Sequence, residues 1–205
     1  MAVSKPELKV TVFSDYICPF CYIGDARLNR LRASFELKVN WCFLEIHPET
    51  SPQGEPVSSL SYPAETWKRM MATLQQMAEQ ENLSLRDHDF TTNSRAALQL
   101  AEAAKTVGPA VFYRLHARLF EAFFAEGSNI GDRDCLRSLA LDAGMTEAQT
   151  GAAWQDETVS KRLQDYLKAA QELRVQATPT FFIGERRLDG AVPVDQLVNA
   201  AQAAV

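Results

Sequence analysis

A strand-like run, a Cys-Pro-Phe-Cys quartet and a helix-like run follow one another near the start of this chain. That junction restricts the fold more than any other feature. Leu8 to Phe13 alternates and is rich in β-branched residues, the pattern of a half-buried strand. From about Cys18 to Phe35 the spacing turns helical, with Cys21, Gly24, Leu28, Leu31 and Phe35 on one face. A second alternating run covers Leu37 to Ile46. Strand, helix and strand in that order open a βαβ unit. The quartet therefore lies at the first turn of the helix, where two cysteines three residues apart share one side. The spacing puts Cys21 on the buried side and Cys18 at the exposed tip.

After a loop rich in Pro, Ser and Gly from His47 to Pro63, helical periodicity takes over. One stripe is Trp67, Met70, Met71, Leu74 and Met77; another is Ala97, Ala101, Ala104 and Val107. A third, Phe112, Leu115, Leu119 and Phe123, starts just after Gly108-Pro109, a helix-boundary pair. Leu136, Leu139, Ala140 and Ala143 form a short stripe, and Thr146 with Gln149 reads as a capping box. The last long stripe runs Val159, Leu163, Tyr166, Leu167, Ala170, Leu173, with Asp156 as its N-cap. Strand signals return at Thr180–Ile183 and Arg187–Asp189 around a Gly184-Glu185 turn, and Pro193 opens a final helix. The order is βαβ, a helical block, then ββα. It implies three parts: 1–63 and 156–205 as the two halves of one α/β unit, and 64–155 as a helical insertion.

A close CxxC pair allows redox chemistry, metal binding or inert packing. The redox reading needs an accessible nucleophile and a shielded partner, which this spacing supplies. Attack on a disulfide gives a mixed disulfide that the second thiol resolves. The free N–H groups and the positive dipole end of a helix start favour the thiolate of the first cysteine. Pro19 fits the first turn, where its missing N–H is no loss. Zinc needs about four ligands; Cys42 and His47 are the only nearby additions, and no second CxxC exists. No metal is expected. Thr178-Pro179, just before a late strand, suits a cis bond that presents the Thr178 backbone to a substrate chain. The alternative is an ordinary trans proline at a strand start.

The runs SDYICPFCYIG, TPTF and GAVP together resemble the DsbA-like thioredoxin-fold oxidoreductases, specifically the FrnE-type branch, over nearly the whole chain. The resemblance implies a thioredoxin fold, βαβ…ββα, interrupted by an α-helical insertion. It implies Cys18 as the attacking thiol, Cys21 as the resolving one and Pro179 as a cis-proline facing them. Pro19, Phe20 and Thr178 would then border the substrate. Two positions depart from the branch: Thr178 stands where valine is common, and Phe20 where tryptophan is common. Kappa-class glutathione transferases and 2-hydroxychromene-2-carboxylate isomerases share the fold and typically carry serine at the first active position. Cys18 there favours redox chemistry. A glutathione-dependent isomerase or transferase is the alternative, and a binding module using an apolar groove is a third reading.

A net charge of −5 without a basic cluster argues against nucleic-acid binding. No apolar run approaches the roughly 20 residues needed to cross a bilayer, so no membrane partner is expected. Met1 to Pro6 shows no basic segment followed by an apolar one, and a cytoplasmic location is expected. The expected partners are proteins carrying a disulfide or dithiol, or small thiols. The only expected redox group is the Cys18–Cys21 disulfide itself, with glutathione as a conceivable co-substrate. A homodimer is left open. Cys42 and Cys135 read as buried fillers, with a second disulfide between them as the alternative if their Cα atoms lie within about 7 Å. His47 reads as a loop residue, His88 and His116 as lacking partners, and Glu45 as solvent-facing. The Met70, Met71 and Met77 stripe and Phe112, Phe120, Phe123 and Phe124 read as core first, with the phenylalanines able to line a groove beside the insertion. Asp132 and Asp134 read as helix-start residues.

Overall fold

A computed structural model describes residues 5–87 and 89–205; His88 lies outside the described residues. The first half contains β1 (Glu7–Ser14), α1 (Pro19–Arg30) and β2 (Glu36–Phe43). The helical block contains α2 (Ala64–Gln80), α3 (Arg95–Val107), α4 (Pro109–Glu121), α5 (Arg133–Asp142) and α6 (Glu147–Ala153). Two short strands, β3 (Glu55–Pro56) and β4 (Phe90–Thr91), pair as a ribbon flanking α2. The chain returns through α7 (Glu157–Glu172), β5 (Thr180–Ile183), β6 (Arg186–Asp189) and α8 (Val194–Ala203).

The four main strands lie in the order β2-β1-β5-β6. β1 and β2 are parallel, with Val10 opposite Val39, and α1 is their crossover. β5 and β6 are an antiparallel hairpin, and β5 runs antiparallel to β1. This is the thioredoxin-like arrangement, with the helical insertion between β2 and β5. Alternation on β1 sends Leu8, Val10 and Val12 to one face. There they join Leu28 and Leu31 behind α1, Leu197 and Ala201 of α8, and Leu98, Ala101, Leu115 and Leu119 of α3 and α4 in one continuous core. The sheet and the insertion helices thus share buried surface. The opposite face is covered by α7, where Phe13 and Cys42 meet Ala170.

Helix starts follow their capping chemistry. Asp132 accepts from the Asp134 N–H, Asp156 accepts from the Thr158 N–H, and Thr146 and Gln149 complete both halves of a capping box. Three local expectations are corrected. α1 begins at Pro19 and gives way after Arg30 to a single 3₁₀ turn at Leu31–Ala33. β2 stops at Phe43, because Asp15 captures the Ile46 N–H and turns the chain out of the sheet. On α7, Val159, Leu163 and Ala170 are buried but Leu167, and Leu173 at its C-cap, are exposed. The apolar face of α7 is wider than the strip that meets β2 and α3.

Candidate functional site

The quartet sits where β1 hands over to α1. Cys18 caps α1 with extended backbone angles (φ −88°, ψ 113°) and Pro19 occupies the first turn. The Cys18 N–H donates to the Asp15 carbonyl (3.2 Å), while the Cys18 carbonyl accepts from the N–H groups of Cys21 (2.9 Å) and Tyr22 (3.3 Å). The Cys18 thiol donates to the Thr178 carbonyl, with Sγ···O 3.3 Å. The Thr178–Pro179 peptide bond is cis. Behind these groups, Gly24 lets α1 lie directly on the segment leading into β5: a Cβ at this position would stand 2.8 Å from Pro179 Cγ and 3.1 Å from Phe181 Cζ. The fold thus brings Cys18, Cys21, Thr178 and Pro179 together across 160 residues of sequence.

Cys18 is not at an exposed tip. Only 5% of its surface is accessible, because the Thr178 segment and neighbouring loops close over the helix start. Its access is through a cavity of about 520 Å³ whose wall includes Cys18, Pro19, Phe20 and Thr178. Cys21 is buried deeper, beneath the first turn.

The two thiols are pushed in opposite directions. A hydrogen bond from the Cys21 thiol is the largest influence holding Cys18 below the ordinary thiol range, against the opposing effect of burial. The Thr178 side chain and the Cys21 N–H add to the lowering, and the nearby Asp15 carboxylate works against it. Burial pushes Cys21 well above the ordinary range, reinforced by its hydrogen bond to Cys18 and by the charge there. Of the two thiols, Cys18 is therefore the one that gives up its proton more readily.

Asp15 was not singled out by the sequence, yet it organises this end of the molecule. Its buried carboxyl accepts from the N–H of Ile46 (2.9 Å), the hydroxyl of Ser94 (2.9 Å) and the N–H of Ile17 (3.3 Å). It joins the end of β1 to the loop after β2 and to the start of α3. Burial raises its pKa to about 7, despite those three donors. His116 also has partners that the sequence did not reveal: Nδ1 meets the Tyr16 hydroxyl at 2.7 Å and Nε2 meets Asp25 at 3.3 Å. Nothing local in the sequence marks such long-range pairings.

The α2 stripe is the main correction near the site. Leu74 and Ala78 are buried, but Trp67, Met70 and Met71 are only half-buried and line the cavity beside Cys18. Phe123 and Phe124 are buried and also reach its wall, as does the exposed Leu167. The helical spacing gave the stripe correctly but not what it faces. Glu45 is half-buried rather than solvent-facing, because it holds the Asn93 amide (2.8 Å) and Arg95 (3.1 Å). Cys42 belongs to the small core under α7, whereas the half-buried Cys135 packs against the main core. Among the described residues no group of three or more His, Cys, Asp or Glu side chains could hold a metal ion.

A free thiol held below the ordinary range at a helix start, a deeper second thiol and a facing Thr178–Pro179 segment are now placed on a thioredoxin-like sheet. The DsbA-like thioredoxin domain matches residues 9–202. The chain belongs to the DsbA-like thioredoxin family. Within reach of this DsbA-like chain, the YwbO protein of Bacillus subtilis is 32% identical over 199 residues, covering 93% of this chain and 94% of that one. The probable DsbA oxidoreductase SCO1869 of Streptomyces coelicolor superposes with a TM-score of 0.85 at 23% identity, covering 96% of this chain and 89% of that one. The cytosolic disulfide reductase DsbM of Pseudomonas aeruginosa, solved with glutathione, gives 0.66 at 19% identity over 96% and 95%. The DsbA-like fold extends across the insertion as well as the sheet. No described helix is long and apolar enough to cross a membrane.

Proposed function

We propose that this protein is a thiol–disulfide oxidoreductase of the FrnE type that exchanges disulfides through Cys18 and Cys21. The observation that supports this most is the placement of Cys18 at the cap of α1, 3.3 Å from the carbonyl of the cis Thr178–Pro179 segment, with Cys21 one turn behind it; the opposite shifts of the two thiols agree with it. In the reducing direction the Cys18 thiolate attacks one sulfur of a substrate disulfide. A mixed disulfide forms at Cys18, and the first substrate thiolate leaves and takes a proton from water. Cys21 then loses its proton and attacks the Cys18 sulfur. The second substrate thiol departs, and the Cys18–Cys21 disulfide remains. Two electrons pass from the protein dithiol to the substrate, and the reverse sequence oxidises a dithiol.

In this reading Pro19, Phe20, Thr178 and Pro179 border the bound substrate, a protein or small molecule carrying a disulfide or dithiol. The redox-active disulfide is its only redox group. The working compartment is the cytoplasm, where the Pseudomonas reductase of similar fold acts. The test is reduction of a disulfide substrate by the dithiol form, followed for the wild type and Cys18→Ser. We expect the variant to fall to background and Cys21→Ser to accumulate the mixed disulfide. Equal turnover by wild type and Cys18→Ser would defeat this assignment, and isomerisation of an added substrate by Cys18→Ser would favour the glutathione-dependent alternative.

A further inference from the structure

The cavity beside Cys18 has a composition that restricts what can be delivered to the sulfur. Its volume, about 520 Å³, falls in the range of small-ligand sites, roughly 300–1,000 Å³. Ile17, Phe20, Trp67, Met70, Met71 and Leu167 are typical of its wall. Among the described lining residues there is no lysine or arginine; the titratable groups besides Cys18 are Glu45, His47 and the phenol of Tyr62. Glu45 is already engaged by Arg95 and Asn93.

We propose that this cavity takes a low-molecular-weight disulfide with uncharged, apolar substituents, and that it discriminates against glutathione disulfide. The inference rests on the reading of Cys18 as the attacking sulfur. Each half of glutathione disulfide carries two carboxylates and one ammonium. Seating them here would desolvate carboxylates with no lysine or arginine on the wall to receive them, next to the Glu45 carboxylate. An apolar substituent instead exchanges water for Phe20, Trp67 and the methionines, gaining about 25 cal/mol per Å² of apolar surface removed from water. Met70 and Met71 have unbranched, polarisable side chains that adapt to differing shapes. The chemistry is the exchange described above. Cys18 forms a mixed disulfide with one half of the apolar molecule, Cys21 releases it, and two apolar thiols leave as the protein disulfide forms.

Reduced full-length protein is mixed with each of three probes at micromolar concentration. These are bis(2-phenylethyl) disulfide, glutathione disulfide and a disulfide-linked dimer of the peptide acetyl-Ala-Phe-Cys-Leu-amide. Acid-quenched samples are read by intact mass, and every rate is divided by that of N-acetylcysteine with the same probe. The expected result is a normalised preference of at least ~10-fold for the phenylethyl compound over glutathione disulfide, equivalent to about 1.4 kcal/mol. In Met71→Lys, a half-buried position with room at the cavity wall, the preference should shrink because glutathione disulfide reacts faster. A wild-type preference no greater than that of the model thiol overturns the inference, whether or not the variant folds. Faster reaction with the peptide dimer than with the phenylethyl compound also overturns it, in favour of a polypeptide substrate. Failure of all three probes to react removes the Cys18 reading itself and the inference with it.

Discussion

Two cysteines of this chain are almost equally shielded from water and are shifted in opposite directions from the ordinary thiol range. Cys18 is 5% exposed at the start of α1, and Cys42 is 4% exposed on β2 beneath α7. Burial pushes Cys42 up to about 11, even with the Lys105 ammonium nearby lowering it. Cys18 moves down, because hydrogen bonding from the Cys21 thiol outweighs the effect of burial, with Thr178 and the Cys21 backbone adding to the lowering. Lys105 is itself committed elsewhere: it bonds the Trp41 carbonyl and Glu102, both at 2.6 Å. The contrast teaches that exclusion from solvent does not set a thiol's reactivity. What decides it is whether short-range donors converge on the sulfur, and a helix start with a second cysteine in its first turn supplies them.

The largest test of this contrast is selective alkylation. With a pKa of about 11, only about 10⁻⁴ of Cys42 is thiolate at pH 7. Peptide mapping after iodoacetamide treatment should show Cys18 modified more than ~10²-fold faster, since its thiol lies below the ordinary range, and comparable rates would break the comparison. Asp15 extends it to a carboxyl. Its folded pKa of about 7 exceeds the 3.8 of an ordinary aspartate, so the native state holds a proton that the unfolded chain has lost between these pH values. Stability should therefore decline as pH rises from about 4 through 7, by up to roughly 4 kcal/mol for the site. Asp15→Asn should lack this decline, as read from urea midpoints at pH 5 and pH 8. The same variant removes a charge that opposes the Cys18 thiolate, so its Cys18 should titrate lower at 240 nm. Cys21→Ala sharpens the comparison from the other side: Cys18 should titrate higher once its principal donor is gone. The smallest effect belongs to Cys42→Ala, which should leave disulfide exchange within about twofold of wild type, since the residue does not reach the cavity.

Much of the framework could be read from local patterns, because local patterns have local causes. Alternation in Leu8–Phe13 and helical spacing in Cys21, Gly24, Leu28 and Leu31 are imposed by the two faces each element must present. The Gln149 side chain bonds back to Thr146 whatever surrounds it. The site was legible where its chemistry is contiguous, at Cys18–Cys21, and less so where it depends on distant segments. The closing of Cys18 by residues near Thr178 and the burial of Asp15 under Ser94 arise from contacts that periodicity does not encode. Trp67, Met70 and Met71 mark the same boundary. A helical stripe says that one face is apolar, but not that half of it opens on a cavity instead of packing shut. Leu167 illustrates the converse, an apolar stripe position left outside because its helix meets a narrower partner.

Gly24 carries a consequence for how such a protein can vary. The absence of a side chain there sets the gauge between the helix bearing both sulfurs and the strand entry bearing Pro179. Even a single added methyl carbon would stand 2.8 Å from the Pro179 ring, so either the helix or the strand entry would have to give way. Position 24 thus limits how far the two can be varied independently, although it does not line the cavity itself.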